Sequence, residues 1–204
     1  MVRDFVFSDI NEEQLDKINA ALNTEHSEIW WYYPSENSTE VNRYVVYNYL
    51  EQVWYYGSFG RTAWIDRGIF DFPFAANADG YIYEHEIGFD DGTTNPTTPI
   101  NAFIQSSPID IGDGEQFMFV NRLIPDFEFR GTTASAAVDI TMKGKDFPLN
   151  DTATLASTTV TENTGQSFIR ARTRESVIRV QGTGTGYGWT LGALRFDVKP
   201  DGRR

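Results

Sequence analysis

The stretch RYVVYNYLEQVWYYG, residues 43–57, shows most clearly the residue pattern from which the fold class is predicted. Two runs of β-branched and aromatic residues flank a polar break at Asn48–Gln52. Such runs favour extended backbone, and a short polar break between them is typical of a β-hairpin. We therefore predict two antiparallel strands joined by a short loop.

The same pattern recurs on both sides of this hairpin, in EIWWYYP (28–34), RTAWID (61–66) and GYIYEHEIGF (80–89). Aromatic residues make up 15% of the chain, which again favours strands. Because side chains alternate along a strand, two of the four rings in Trp30–Tyr33 should enter a core and two should meet another sheet or subunit. The predicted fold class is all-β, built of antiparallel sheets.

One segment, SDINEEQLDKINAALN (8–23), has the period of a helix instead. Its apolar residues fall close to one helical face, and Asp9 followed by Glu12 has the spacing of a capping box. We predict one short N-terminal helix near Asn11–Leu22. No apolar run approaches the roughly 20 residues of a membrane-spanning helix, so we expect no membrane anchor.

A loop divides the chain into two predicted regions. The segment DDGTTNPTTP (90–99) has two prolines and no large apolar residue, so we place a boundary near residues 95–100. Residues 1–95 are predicted to form propeller-blade-like β units, and residues 100–204 a β-sandwich-like region of about seven or eight strands. Two blades cannot close a propeller, and exposed aromatic edges invite pairing, so either residues outside this chain complete the unit or other copies of the chain cover its edges. We therefore expect that the chain is not a solitary monomer.

Charge is distributed unevenly along the chain. The formal net charge is −12, whereas residues 165–204 contain eight Lys or Arg and three acids, or +5. Phosphate binding depends on clustered basic side chains, so the acidic total argues against a protein whose whole surface binds nucleic acid. Arg170, Arg172 and Arg174 should share one face of a strand. We expect this basic C-terminal sheet to face an acidic neighbour.

The stretch YIYEHEIGFDDG (81–92) is the strongest candidate for chemistry. In a strand, His85 would point to one face and Glu84 and Glu86 to the other, so the three side chains could not chelate one ion. The pattern favours a core histidine. The two glutamates should meet a cation, since like charges on one face repel each other.

Arginines from the same region, Arg61 or Arg67, or a neighbouring subunit could supply that cation. Asp90 and Asp91 could bind calcium, but the ligand spacing of a calcium loop is absent. A turn explains these two aspartates better.

Two glycine-containing strings complete the candidates. Asp113–Gly114 is predicted to form a hairpin turn between PIDI and QFMFV, because a primed turn needs the positive φ that glycine accepts. The string GTGTGYG (182–188) is followed by a strand pattern, so we predict a β-loop rather than a dinucleotide-binding loop. With no cysteine, and with His26 and His85 the two histidines, no nucleophile beside a base is recognisable. We predict no catalytic residue, cofactor or metal site.

Four strings, taken together and in this order, resemble one protein family. They are IWWYYPSENSTEVNRYVVYNYLEQVWYYGSFGRTAWIDRG (29–68), GYIYEHEIGFDDG (80–92), IDIGDGEQFMFVNRLIPDF (109–127) and GWTLGALRFDVKPDGRR (188–204). From about Phe5 to Arg204, the chain is similar to the C-terminal part of the packaged-DNA stabilisation proteins of short-tailed bacteriophages. These are also called tail nozzle or tail hub proteins.

The resemblance implies a structural role in a virion tail. Such proteins form a six-fold ring below the portal and its adaptor, with β-propeller and β-sandwich parts. The central channel retains packaged DNA and later passes it into the host. The resemblance therefore implies a non-enzymatic homo-oligomer, with the adaptor and distal tail proteins such as a needle, spikes or fibres as neighbours and DNA as a transient partner.

A second function class stays open from the residues alone. Glycosidases use paired carboxylates, and aromatic rings stack on sugars; both residue types are abundant in this chain. The alternative is a carbohydrate-binding or glycan-cleaving β module of a phage tail.

Overall fold

A computed structural model of the chain describes residues 2–131, 135–147 and 149–203. The fold is nearly all-β, with 49% of the residues in strands and 7% in helices, which confirms the predicted fold class. The strands, in chain order, are β1 Asn19–Asn23, β2 Glu28–Tyr33, β3 Arg43–Asn48, β4 Val53–Gly57, β5 Ala63–Ile65, β6 Phe74–Ala76, β7 Ile82–Glu84, β8 Asp90–Asp91, β9 Thr98–Pro99, β10 Ala102–Gln105, β11 Met118–Ile124, β12 Phe127–Gly131, β13 Ala137–Lys145, β14 Ala153–Thr161, β15 Ser167–Thr173, β16 Glu175–Gly182, β17 Tyr187–Leu191 and β18 Arg195–Pro200.

Helical structure lies at the N-terminal end of the described residues. Helix α1 spans Val2–Asp9, and a 3-10 helix follows at Glu12–Lys17. Asn11 caps the 3-10 helix, because its side-chain oxygen accepts a hydrogen bond from the backbone N–H of Glu13 at 2.9 Å. Among the described residues, no helix is both long and apolar enough to cross a bilayer.

The helix predicted near Asn11–Leu22 is present only in its first half, as the 3-10 helix Glu12–Lys17. Its second half forms β1, which pairs antiparallel with β2 and places Ala21 opposite Trp30. This pairing buries Ala21 and Asn23. Burial against the aromatic strand therefore outweighs the weak helical preference of the segment.

Two compact units divide the chain, Met1–Ile87 and Gly88–Arg204. The division lies close to the loop from which the sequence predicted a boundary. Within that loop, β8 and β9 form a short antiparallel pair with Asp90 opposite Pro99. The assignment of residues 1–95 as propeller-like and residues 100–204 as sandwich-like domains stays a prediction.

The first unit contains a four-stranded antiparallel sheet in the order β1-β2-β3-β4. Strands β3 and β4 are the predicted hairpin, and Gln52 takes a positive φ of 57° in its turn. A smaller sheet, β5-β6-β7, contains the other strand patterns of this region. A meander in chain order is also the order of one propeller blade, but the propeller-like arrangement is not confirmed.

The core of the first unit lies on one face of the four-stranded sheet. Its buried members are Ala21, Trp30, Tyr32, Val41 and Val46. Trp30 packs against Trp64 with ring centroids 6.2 Å apart. The alternation predicted for Trp30–Tyr33 is confirmed in that Trp30 and Tyr32 enter this core, while Trp31 lies on the other face and stacks on Trp54.

The second unit is built around two antiparallel sheets, ordered β10-β16-β13-β14 and β15-β11-β18. One core joins side chains from both, including Ile140 and Val180 from the first sheet and Leu123 and Ala171 from the second. Two sheets that bury their inner faces together form a sandwich-type core. A two-stranded sheet, β12-β17, adds partly buried aromatic rings to this core.

The predicted turn at Asp113–Gly114 is present, but the predicted hairpin is not. Asp113 and Gly114 have φ values of 56° and 72°, and Glu115 N–H donates to the Gly112 carbonyl at 3.2 Å. The strand after the turn, β11, pairs with β15 and β18 instead of the segment before it. Turn chemistry is local, whereas the choice of strand partner depends on the whole core.

Candidate functional site

The candidate histidine, His85, lies just after β7 on the inner side of the first unit. Its ring packs against Trp64, with centroids 4.8 Å apart, and against Phe59 at 5.9 Å. Arg61 donates a hydrogen bond from Nε to Nε2 of His85 at 2.8 Å. Burial, and then the neighbouring Arg61 charge, lowers the pKa of His85 from 6.5 to about 4. The ring is therefore neutral near pH 7 and has its Nε2 lone pair occupied, as the core-histidine interpretation requires.

Arg61 is a buried arginine, with 8% of its surface exposed. Its guanidinium lies 4.7 Å from the ring centre of Phe59 and 4.6 Å from that of Tyr83. It also donates to the carbonyl of Gly60 at 2.8 Å. Aromatic faces stabilise a desolvated cation, so Arg61 and His85 form a positioned polar pair inside an aromatic shell.

Glu86 does not continue the strand of Glu84, because β7 ends at Glu84 and Glu86 has a positive φ of 62°. The face alternation predicted for Glu84, His85 and Glu86 therefore stops at the strand end. One carboxylate oxygen of Glu86 accepts from Asn23 Nδ2 at 3.0 Å, and the other lies 3.2 Å from His26 Nε2. Arg67, one of the arginines considered for Glu84 and Glu86, pairs with Glu25 at 3.3 Å.

A buried carboxylate, Glu28, lies on the inner face of the four-stranded sheet. Trp30 Nε1 donates to it at 3.0 Å. Burial raises the pKa values of Tyr32, Tyr44 and Tyr55 above the usual 10, and the Glu28 carboxylate adds to the rise. These phenols stay protonated near neutral pH, so they act as packing groups on the inner face and cannot serve as bases there.

The aspartates considered for calcium have partners within their own loop and a neighbouring turn. Both oxygens of Asp90 accept from the Gly186 N–H, at 2.8 and 3.0 Å. Asp91 accepts from the Thr93 N–H at 2.9 Å. The Asp91–Thr93 bond is that of a local turn, whereas Asp90 bonds from β8 to the distant loop of Gly186. Within residues 2–131, 135–147 and 149–203, no group of three His, Cys, Asp or Glu is placed to hold a metal ion.

Aromatic rings pack directly against glycines of the loop GTGTGYG. A side chain at Gly182 would collide with Trp189, and one at Gly188 would meet Phe89 at 2.8 Å. Tyr187 donates to the Ala137 carbonyl and accepts from the Gly184 N–H at 3.1 Å. Glycine is therefore required here for close ring packing, and the string forms the β-loop that was predicted.

These rings border a pocket of about 390 Å³ in the second unit. Its lining residues are Phe89, Ile100, Ala102, Phe103, Arg130, Gly182, Gly184, Tyr187, Gly188 and Trp189. Exposed Arg130 donates to Thr190 Oγ1 at 3.3 Å, and its guanidinium is the one charged group of the lining. The residues meet from four separate segments, so no short sequence pattern could have revealed the pocket.

An aromatic surface lies on the outer face of the first unit. Trp54 stacks on Trp31, with ring centroids 5.7 Å apart, and contacts the tilted ring of Tyr47 at 4.6 Å. Trp54 and Tyr56 are each 47% exposed, and Phe5 of α1 packs on Tyr56 at 4.1 Å. Trp54 is therefore a surface residue of the first unit and not a member of its core.

The three candidate arginines of the C-terminal region do not share one strand face. Arg170 and Arg172 are on the exposed face of β15, while Arg174 follows the end of that strand. Arg172 pairs with Asp201 at 2.5 Å. Arg174 donates to the carbonyls of Gly114, Glu115 and Arg203. The register of β15 against β11 shifts between Val120 and Arg122, next to Arg170, whose φ is 53°.

Comparison with known proteins adds no assignment, since no family model and no curated protein matches the chain.

Proposed function

We propose that the chain is a structural subunit of a short-tailed bacteriophage tail, a nozzle or hub protein that assembles into a ring below the portal and adaptor. In this role it retains packaged DNA and forms part of the conduit for genome ejection. The observation that carries the proposal is the resemblance of four strings over nearly the whole chain to the C-terminal part of that family.

The aromatic outer face of the first unit supports an assembling protein. Trp54 and Tyr56 lie two residues apart on the same face of β4, and each exposes 47% of its surface. Contiguous exposed apolar surface of this kind marks interaction sites in soluble proteins. Neighbouring subunits or tail proteins would cover it in the ring.

The charge distribution supports a conduit. The first unit has 15 acidic and 5 basic residues, a formal charge of −10, and the second has 14 acidic and 12 basic, or −2. Each phosphate contact adds a salt-dependent attraction to DNA. An acidic body therefore lets the genome pass without being held by the wall.

The buried titratable groups favour a structural role over a catalytic one. The pKa of His85 is lowered to about 4 and those of Tyr32, Tyr44 and Tyr55 are raised, so each lies away from neutrality. General acid–base catalysis is most effective when the pKa lies near the working pH. The cluster instead stabilises one face of the first unit.

The proposal is tested on virions of the phage that encodes the chain. Antibody raised against the purified protein is bound to intact particles and to isolated tails, and both are imaged by negative stain. We expect label on the tail axis beneath the portal, in several copies per tail. Label confined to peripheral fibres or spikes, or absent from particles, would contradict the proposal.

One observation favours the alternative, a carbohydrate-binding tail module. The pocket beside Trp189 combines aromatic walls with the Arg130 guanidinium, and aromatic rings and hydrogen-bond donors are the groups that bind sugars. A glycan array combined with an assay for released reducing sugar tests it. Glycan binding that Trp189→Ala abolishes would support the alternative. If the antibody also labels the tail axis, the protein has both functions.

A further inference from the structure

The outer face of sheet β15-β11-β18 is basic. Its residues follow from the register of β11 with its two neighbours and are called the basic face: Phe119, Arg122, Ile124, Phe168, Arg170, Arg172, Arg195, Asp197 and Lys199. Five of these nine residues are cationic and one is acidic. Arg195 and Lys199 are exposed, and neither forms an ion pair with a described residue.

An apolar ring stands among these cations. Phe168 is 57% exposed, and the guanidinium of Arg170 lies 5.9 Å from its ring centre. An exposed aromatic residue surrounded by charges is the arrangement of a protein interface, with an apolar centre and a polar rim. A surface complementary to the basic face would have acidic side chains around an exposed apolar residue.

The first unit has a surface of that description. The 3-10 helix Glu12–Lys17 lies against the loop before β3, because Asn11 donates to the Ser38 carbonyl at 2.9 Å and Lys17 to the Thr39 carbonyl at 2.6 Å. This surface is called the acidic edge, and its exposed acids are Glu12, Glu13, Asp16, Glu36 and Glu40.

The centre of the acidic edge is apolar. Leu15 is 49% exposed and Ile18 is 37% exposed. The basic residue of the 3-10 helix, Lys17, is already paired with Glu40 at 2.6 Å. The acidic edge therefore keeps a negative excess around exposed aliphatic side chains.

We propose that the basic face of one copy docks on the acidic edge of a second copy, head to tail. This inference rests on the proposed ring. A ring of identical subunits needs two different surfaces that complement each other, because a two-fold contact closes at a dimer. The two surfaces match in charge and each has an apolar centre around Phe168 or Leu15.

Charge-reversal variants of the full chain test the contact by sedimentation velocity at low salt, over a series of protein concentrations. The first variant is R195E/K199E on the basic face, and the second is E12K/E13K on the acidic edge. Like charges facing each other oppose docking, so each variant should weaken self-association by roughly tenfold or more. An equimolar mixture of the two variants should restore association. The acidified basic face of R195E/K199E then meets the acidic edge that E12K/E13K has made basic, and the unchanged surfaces of the two variants meet at the other contact.

The matched control is E51K/E84K, which changes the net charge as E12K/E13K does but lies elsewhere on the first unit. Both residues are exposed and their side chains have no ion pair with a described residue. The control should associate at least as well as wild type. Circular dichroism and thermal unfolding of all variants confirm that they are folded.

The outcomes separate the contact from the ring itself. A wild-type chain that stays monomeric at every concentration contradicts both the contact and the proposed ring. A wild-type oligomer that both reversals leave intact, or that E51K/E84K weakens equally, contradicts the contact alone. Oligomers unaffected by R195E/K199E, together with duplex DNA binding that this variant abolishes, would assign the basic face to nucleic acid and overturn the inference.

Discussion

Arg61 donates a hydrogen bond from its Nε to Nε2 of His85 at 2.8 Å, and the two side chains come from segments 24 residues apart. The bond joins the chain before β5 to the end of β7. Because Nε2 accepts, the bond requires His85 to be neutral. The strongest sequence candidate for chemistry thus fixes two ends of a small sheet to each other.

The pair predicts a pH-dependent stability. The unfolded chain protonates His85 near its ordinary pKa of 6.5, whereas the folded chain does so only near 4. The stability contributed by the neutral ring is complete above pH 6.5 and is lost as the pH falls toward 4. After allowance for partial exposure, we expect about 2 kcal/mol of this loss to come from His85.

Urea unfolding at pH 7 and at pH 4.5 measures this effect. His85→Gln keeps an acceptor for Arg61 but cannot titrate, so its stability should change less between the two pH values than that of wild type. His26→Gln is the matched control, since His26 is exposed beside Glu86. A wild-type and His85→Gln protein with the same pH dependence would show that the His85 pKa is not lowered.

A pair of tryptophan substitutions tests the two faces of the meander. Trp30 is 8% exposed in the core, and Trp54 is 47% exposed on the outer face. Trp30→Ala should lower the free energy of unfolding by about 3–5 kcal/mol. Trp54→Ala should lose only its ring contacts with Trp31 and Tyr47, at about 1 kcal/mol.

Denaturant unfolding of both variants, followed by circular dichroism, provides the comparison. Equal losses, or a larger loss for Trp54→Ala, would mean that the inner and outer faces are assigned the wrong way round.

A pair of glycine substitutions tests the close approach of β12 to β17, its antiparallel neighbour. Gly131 has a φ of 126°, and a Cβ there would collide with the carbonyl of Gly186. Gly131→Ala should therefore destabilise the protein by about 1–3 kcal/mol, through backbone strain. Gly165→Ala is the control, because nothing lies within 4 Å of its Cβ position and its φ is not positive.

Thermal unfolding of the two variants decides this prediction. Gly165→Ala should melt within a few degrees of wild type, whereas Gly131→Ala should melt clearly lower. Identical melting temperatures would rule out the close approach of the two strands.

Local pattern predicted much of the first unit and little of its polar interior. The hairpin β3–β4 followed from the runs around Asn48–Gln52, since strand preference and the polar break agree there. The helix at Asn11–Leu22 failed because β1 is set by pairing with β2. The partner strand β2 lies outside residues 11–22, so the helical pattern of that segment contains no information about the pairing.

The candidate sites were less predictable than the strands. His85 as a core residue followed from its aromatic neighbours in sequence, but its contact with Arg61 depends on how β5, β6 and β7 pair. The pocket beside Trp189 also needs residues near Phe89 and Phe103. The Arg61–His85 contact and the pocket lining both depend on tertiary structure, so residue spacing along the chain does not predict them.

Native mass spectrometry of the purified full chain, at tens of micromolar in low-salt buffer, tests whether the chain is a ring subunit. A ring subunit should give a closed species of roughly six times the 23.2 kDa mass of one chain. A spectrum that contains only the 23.2 kDa monomer at every concentration would contradict it.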